Sequence, residues 1–294
     1  MADPGRDLGL FGPGSVTWQV HSEPILALAG LRALFLQALH PRALAGVTQN
    51  SSYRTDPWGR LLRTINFVAT AIYGTTAQAE AAGHRVRAVH AGLTATDPVT
   101  GERFRIDEPE LLRWVHVTEV DSYADTARRA GVRLSPAQWD RYWDEQRRTA
   151  ALVGLDPAGV PGTAAAASAY FQAVRPELAM TREAAATLLF LANPPPPWRP
   201  GPGWRRSVLD RLGRPPFRLA HLGVAATALG LLPGWARRLY GMPGLPTADL
   251  TATVSARALR LALASLPHRV YEGPLYRSAM ARAAAATGAT LQPG

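Results

Sequence analysis

Residues 109–123 read Pro-Glu-Leu-Leu-Arg-Trp-Val-His-Val-Thr-Glu-Val-Asp-Ser-Tyr. This stretch constrains the fold more than any other. The lead-in Asp107-Glu108-Pro109-Glu110 puts acids in a first turn and proline near its start, both of which favour a helix beginning there. Leu112, His116, Val120 and Tyr123 then recur at spacings of four, four and three, so they share one helix face, and that face is otherwise apolar. A histidine in such a stripe is either a core residue with a single hydrogen bond or a ligand to something held between helices. In both cases the helix needs other helices around it.

The rest of the chain supplies them. Residues 24–39 are rich in Ala and Leu and end at His40-Pro41, which reads as a helix buried nearly all round and closed by proline. A short helix is expected to start over Pro41 to Ala45, and a longer one runs over 59–73, stopped by Gly74. Thr75 or Thr76 caps the next, which runs to about Leu93. Residues 94–106 break the pattern with Asp97-Pro98, Thr100-Gly101 and the alternating Arg103-Phe104-Arg105-Ile106, a short hairpin or extended loop. Ser135-Pro136 opens a helix carrying Trp139, Tyr142 and Trp143. Further helices are expected from Thr163 and over 181–191. Residues 193–203, with four successive prolines, read as a polyproline linker or surface loop. Helices follow over about 204–212, 216–231, 233–240, 248–266 and 275–286. With no internal repeat and no series of strands, the fold class is all-α: one large helical domain over 21–287, with a flexible segment over 1–20 and a frayed tail over 288–294.

Composition removes several functions. There is no cysteine, which excludes disulfides, thiolate metal sites, iron–sulfur clusters and a cysteine nucleophile. The net charge of +10 comes from 32 basic residues, every one an arginine, as in the products of GC-rich bacterial genomes. The arginines are spread along the chain, with no zinc-finger spacing or other nucleic-acid motif, so nucleic acid is not an expected partner. No signal peptide is evident, and the apolar runs 25–39 and 219–232 are too short or too interrupted by Arg or His to span a membrane. The expected location is cytoplasmic. Phosphate loops, nucleophile elbows, HExxH and paired Glu-x-x-His motifs are all missing from the sequence.

Histidine and arginine remain as carriers of chemistry. His40 precedes proline at a helix end, where an imidazole meets the last carbonyls. His84, Arg87 and His90 are three apart and are expected on one helix face, either solvated or lining a site. Arg60, Arg63 and Thr64 sit on a helix whose later turns are apolar. An arginine there needs an acid, for which Asp121 and Glu119 are candidates, or an anionic ligand. A flat apolar cofactor between helices would take His116 on its metal and the arginines on its carboxylates, and haem b has those properties.

The residues also resemble a known family. His40-Pro41, Tyr53, Asp56-Pro57, Gly59-Arg60-Leu61-Leu62-Arg63-Thr64 and Tyr73-Gly74 form its N-terminal signature. Arg87 with His90, and Trp114-Val115-His116 with Asp121-Ser122, continue it. Leu232-Pro233, Arg238, Tyr240-Gly241, Leu266-Pro267 and Pro274-Leu275-Tyr276-Arg277 resemble its C-terminal part. The family is the MpaB-type oxygenases, which share the catalytic domain of the rubber oxygenase called latex-clearing protein, and the likeness runs from about His21 to Ala285. It implies an all-helical fold holding non-covalent haem b, with His116 as the proximal iron ligand and Arg87 as the distal-side arginine. Where the rubber enzyme has lysine three residues later, this chain has His90: a second axial ligand, a proton donor, or neither. The adjacent threonine is Ala91. The family's catalytic carboxylate has no clear counterpart.

The resemblance thus implies a haem-dependent oxygenase, dioxygenase- or peroxygenase-like. It would act on a small apolar organic substrate with dioxygen or peroxide, with a possible electron donor, by oxygen insertion or oxidative alkene cleavage. Arg87 and His90 are the candidate catalytic residues. His116 is the metal ligand, and Arg60, Arg63 and Thr64 complete the cofactor site. Two other readings compete: a non-catalytic haem carrier or sensor, and a cofactor-free helical scaffold or membrane-surface protein.

Overall fold

The computed structural model describes residues 7–198 and 204–287, with 204–212 and His268 described in backbone only. Among the described residues there are thirteen α-helices and one two-stranded hairpin. In chain order the first five helices are α1 (Val16–His21), α2 (Leu26–Gln37), α3 (Pro41–Asn50), α4 (Pro57–Tyr73) and α5 (Thr76–Ala91). The hairpin β1 (Thr94–Thr96) and β2 (Arg103–Arg105) follows. Then come α6 (Pro109–Arg129), α7 (Pro136–Leu152), α8 (Ala164–Val174), α9 (Arg182–Ala192), α10 (Trp204–Gly230), α11 (Gly234–Leu239), α12 (Pro246–Ala264) and α13 (Pro274–Thr287). No described helix is long and apolar enough to cross a membrane.

Side-chain caps set many of the helix starts. Thr75 with Gln78 and Ser135 with Gln138 form complete capping boxes at α5 and α7. Asp56 accepts from Gly59 N–H at the start of α4, and Thr163 and Thr181 do the same for α8 and α9. His40 also caps. Its Nδ1 accepts from Ala43 N–H at the start of α3, while Nε2 lies 3.6 Å from Glu177. The imidazole therefore serves the helix that follows it, not the carbonyls of the helix before.

The most extensive helix pairing is α2 on α6. Trp114, fully buried on α6, packs edge-on to Phe171 of α8 and donates from Nε1 to Gln37 O of α2. Arg32 of α2 is buried in the same helix pair. It pairs with Asp121 at 2.8 Å, donates to Ser122 Oγ at 2.7 Å, and donates from Nε to Leu231 O at 3.1 Å. Arg129 and Arg237 converge on the same turn: Arg129 donates to Leu231 O, Arg237 to Gly230 O and Leu232 O, and both pair with Asp249. Three guanidinium groups thus satisfy the carbonyls at the end of α10 that its own helix leaves open. The hairpin pairs Ala95 with Phe104, both buried. Gln49 of α3 covers its outer edge with two hydrogen bonds to the backbone of Thr96.

Two expectations are corrected. The segment expected to be flexible to residue 20 is ordered over 15–20: α1 is buried at Val16, Trp18 and Val20, and the Glu145 carboxylate accepts from Val16 and Thr17 N–H. Residues 1–6 and the tail over 288–294 lie outside the described residues. The helix expected to start over Pro41 to Ala45 is α3, which runs to Asn50, whose side chain reaches Thr94 O of the hairpin. The separate helices expected over 204–212 and 216–231 are one, α10, with Pro215 and Pro216 inside it. Just beyond them Phe217 packs against Trp58, Trp198 and His221. Tertiary packing there outweighs a local penalty of roughly 3 kcal/mol for an interior proline.

Candidate functional site

Two cavities adjoin at the centre of the molecule. The larger, about 920 Å³, runs between α2, α4, α9, α10, the end of α12 and the start of α13. The smaller, about 210 Å³, lies between α3, α4, α5, α6 and α7. The larger falls in the range of about 300–1,000 Å³ typical of ligand sites. One wall belongs to both: His21, Gln37, Arg60, Val68, Ile72, Val115, Glu119 and Tyr123 line each chamber. The large chamber explains why α2 reads as apolar all round. Leu28, Phe35 and Leu36 are in the core, while Leu26, Gly30, Leu31 and Leu34 line the chamber.

The α6 face inferred from periodicity is the floor of the small chamber, where Leu112, His116, Val120 and Tyr123 all line it. His116 is buried, and among the described residues its ring forms no hydrogen bond. Burial pushes its pKa down to about 4, so the imidazole is neutral with a lone pair free to bind. His90 reaches the same chamber from α5. Its Nδ1 is buried without a hydrogen-bond partner, and burial lowers its pKa against the opposing pull of Asp107.

Two members of the shared wall, Glu119 and His21, were not among the candidate site residues, and Tyr123 of the α6 stripe joins them. Glu119 follows His116 by three on α6, and burial pushes its pKa up to about 7 while a hydrogen bond from Tyr123 Oη at 3.1 Å opposes the rise. Tyr123 packs edge-on to His21 at 4.8 Å between ring centres. His21, at the end of α1, meets Tyr142 Oη through Nε2 at 3.1 Å, and burial lowers its pKa to about 3. The result is a line of polar side chains from the cavity wall into the core. Glu119 was within reach of sequence reasoning, since it lies three residues after His116 and four before Tyr123 of the α6 stripe. His21, on a six-residue helix, has no periodic signal.

The other candidates divide. Arg60 lines both chambers, and among the described residues its guanidinium has no carboxylate partner. Burial lowers its pKa, and Arg63 adds like charge. The acids suggested for it are engaged elsewhere: Asp121 with Arg32, and Glu119 with Tyr123. Thr64 lines the large chamber one turn on. Arg63 lies on the exposed side, bonded to Asp56 and Ser52. Arg87 is exposed and lines neither chamber; it donates to Leu152 O at the end of α7. His84 is exposed, His221 Nε2 meets Leu191 O, and the side chain of His268 lies outside the described residues. Of the six residues singled out, then, His116, His90 and Arg60 meet at the small chamber, Thr64 joins at the large one, and Arg63 and Arg87 stand apart. Among the described residues, no three His, Cys, Asp or Glu side chains gather as for a bare metal ion.

This arrangement suits a bulky, mostly apolar guest that offers a Lewis acid to one imidazole and an anion to one guanidinium. Residues 18–265 match the family described as ER-bound oxygenase mpaB/B'/Rubber oxygenase, catalytic domain. Comparison with curated proteins and with solved structures finds no match.

Proposed function

This chain belongs to the mpaB/rubber oxygenase catalytic-domain family, and on that premise we propose that it is a haem b-dependent oxygenase acting on an apolar organic substrate. The family makes it an oxygenase with a substrate and dioxygen as partners. Haem and the apolar substrate are the proposal. The observation that carries it is His116: a neutral imidazole buried at a cavity wall with no hydrogen bond from the protein. Its ring nitrogens give onto the chamber, where the lone pair is available to a metal. Arg60, a half-buried cation without a carboxylate, fits a propionate in the same way. The residues fit the group.

In this reading His116 holds the iron and Arg60 pairs with a propionate. Thr64 and Arg63 support that end of α4. Haem b, when bound, supplies the redox-active iron for dioxygen or peroxide chemistry. The protein's own part is positioning and exclusion of water. The apolar walls of the large chamber hold the substrate by burial. Glu119, protonated up to about pH 7 and held by Tyr123, keeps a proton at Oε within the shared wall. His90 contributes a second imidazole to the small chamber. Arg87 acts at a distance, by fixing α5 to the end of α7.

The presence of two imidazoles in one chamber also supports a second reading, a non-catalytic carrier with both on iron. Titration with haemin separates the two. The oxygenase reading expects a Soret band lost in His116→Ala, a five-coordinate spectrum, and oxygen uptake with a terpenoid alkene such as squalene. The carrier reading expects a six-coordinate spectrum that His90→Ala turns five-coordinate, with no oxygen uptake. A protein that takes up no haemin refutes both.

A further inference from the structure

Four helices around the large cavity have an unusual charge pattern. Over α4 and α13 there is no acidic residue; α12 has only Asp249, in its first turn, and α10 only Asp210. Arginine is frequent on all four. Arg63, Arg218, Arg257 and Arg277 are exposed. Among the described residues Arg218 and Arg277 have no acidic partner, and Arg257 bonds only a backbone carbonyl. Of the acids close by, Glu23 pairs with Arg260 and Asp56 with Arg63, and Glu272, which lines the cavity, is also engaged.

The same helices expose large apolar side chains. Leu61, Leu62 and Ile65 of α4, Leu222 of α10, Leu261 of α12 and Val270 just beyond it are all exposed, at 37–68%. Leu61 and Ile65 line the large cavity themselves, and each of the others is next in sequence to a lining residue. Exposed leucine, isoleucine and arginine thus stand on the helices that line the cavity, whose lining acids are Glu23, Glu119 and Glu272. Exposed apolar side chains among basic ones are the chemistry that meets a bilayer interface: the apolar groups enter the acyl boundary and the guanidinium groups meet lipid phosphates.

We propose that this rim docks on an anionic lipid surface, so that the large cavity faces the membrane. An apolar ligand then passes between bilayer and cavity without crossing water. The inference goes beyond the haem reading and does not depend on it. It rests on charge complementarity between a rim with unpaired arginines and lipid headgroups, and it predicts peripheral attachment without a spanning helix.

The test is flotation of the full chain with vesicles of phosphatidylcholine alone and of phosphatidylcholine with phosphatidylglycerol. At about 0.1 M salt the protein should float with the mixed vesicles and stay below with the neutral ones, and raising salt to about 1 M should release most of it, since the screening length falls from about 10 Å to 3 Å. Leu62→Ser with Ile65→Ser, and separately Arg218→Glu with Arg277→Glu, should each lower the bound fraction about tenfold or more. These positions are exposed, and an unchanged circular dichroism melt will show that the variants fold. Equal flotation with both vesicle types, no flotation at all, or variants that float like the wild type would overturn the proposal. So would a dimer in sedimentation that Leu62→Ser with Ile65→Ser dissolves while vesicles are ignored, because the rim would then bind a second copy. Haemin titration of the same samples keeps the two readings separate: loss of the Soret band leaves the lipid result standing, and the reverse holds.

Discussion

Replacing Arg32 with methionine tests how the helix carrying His116 is held. Methionine keeps most of the length and apolar stem but removes the guanidinium. Its partners lose unequally. Leu231 O keeps Arg129, and Ser122 Oγ keeps its bond to Thr118 O. Asp125 keeps Arg128 at 2.6 Å. Asp121 loses its one close cation, so the cost falls mainly there. Breaking a buried pair by removing one member costs about 3–5 kcal/mol. At roughly 2.1 cal/mol/K of unfolding entropy per residue, a 294-residue chain has about 0.6 kcal/mol/K, so the melting point should fall by about 5–8 °C. The loss should depend on pH. Burial already raises the pKa of Asp121 against the pull of Arg32, and removing Arg32 raises it further. A carboxyl whose folded pKa lies above its unfolded value destabilises the fold increasingly as pH rises from the unfolded to the folded pKa, and fully above it, so the variant should lag most at pH 8 and recover part of the loss toward pH 5. Asp121→Asn in the Arg32→Met background should restore part of the loss at pH 8. Melts of the four proteins at both pH values measure this. A deficit under about 1 kcal/mol, or one unchanged by pH and by Asp121→Asn, would refute the view that these charges lock α2 to α6.

Other outcomes follow from single contacts. A Cβ on Gly83 of α5 would lie 2.6 Å from Leu152 O and 3.1 Å from Leu152 Cβ. Gly83→Ala should therefore push α5 from α7 and cost about 1–3 kcal/mol despite alanine's better helix propensity, as read by a denaturant midpoint. Wild-type stability should peak near pH 6.5–7. Below it His116 and His21, with folded pKa values lowered to about 4 and 3, must gain protons on unfolding, so stability falls as pH drops through 6.5. Glu119, raised from 4.5 to about 7, stays protonated in the fold while the unfolded chain ionises, so its own contribution falls between about pH 4.5 and 7, partly offsetting the histidines below 6.5, and is level above 7. Glu119→Gln should steepen the rise in stability between about pH 4.5 and 6.5 and remove the small fall between 6.5 and 7, with no change in slope above 7, in melts across pH 4–9.

What the sequence disclosed about this fold follows from the range of the forces involved. Caps are local, so Asp56, Thr75, Ser135, Thr163 and Thr181 mark helix starts without tertiary knowledge. The α6 stripe is also local, and its four members do face one chamber. The same spacing includes Glu119, three after His116 and four before Tyr123, but a search confined to apolar residues passes over it. Residues 84, 87 and 90 mislead for a related reason. Three-residue steps fall about 60° short of a full turn, so the side chains fan out: His90 enters the chamber, Arg87 meets α7 and His84 faces solvent. The join of α10 through two prolines, the order of α1 and the large chamber depend on partners far away in sequence. Trp58 against Phe217, Glu145 beneath α1, and the five or more elements around one void leave no local trace.

The partition between the chambers has a thermodynamic consequence. His21, Arg60, Glu119 and Tyr123 present atoms to both sides, so any guest that repositions them on one side changes what a guest on the other side meets. Occupancy of the two compartments is therefore linked. Whatever factor a molecule in one applies to affinity in the other must be returned in equal measure.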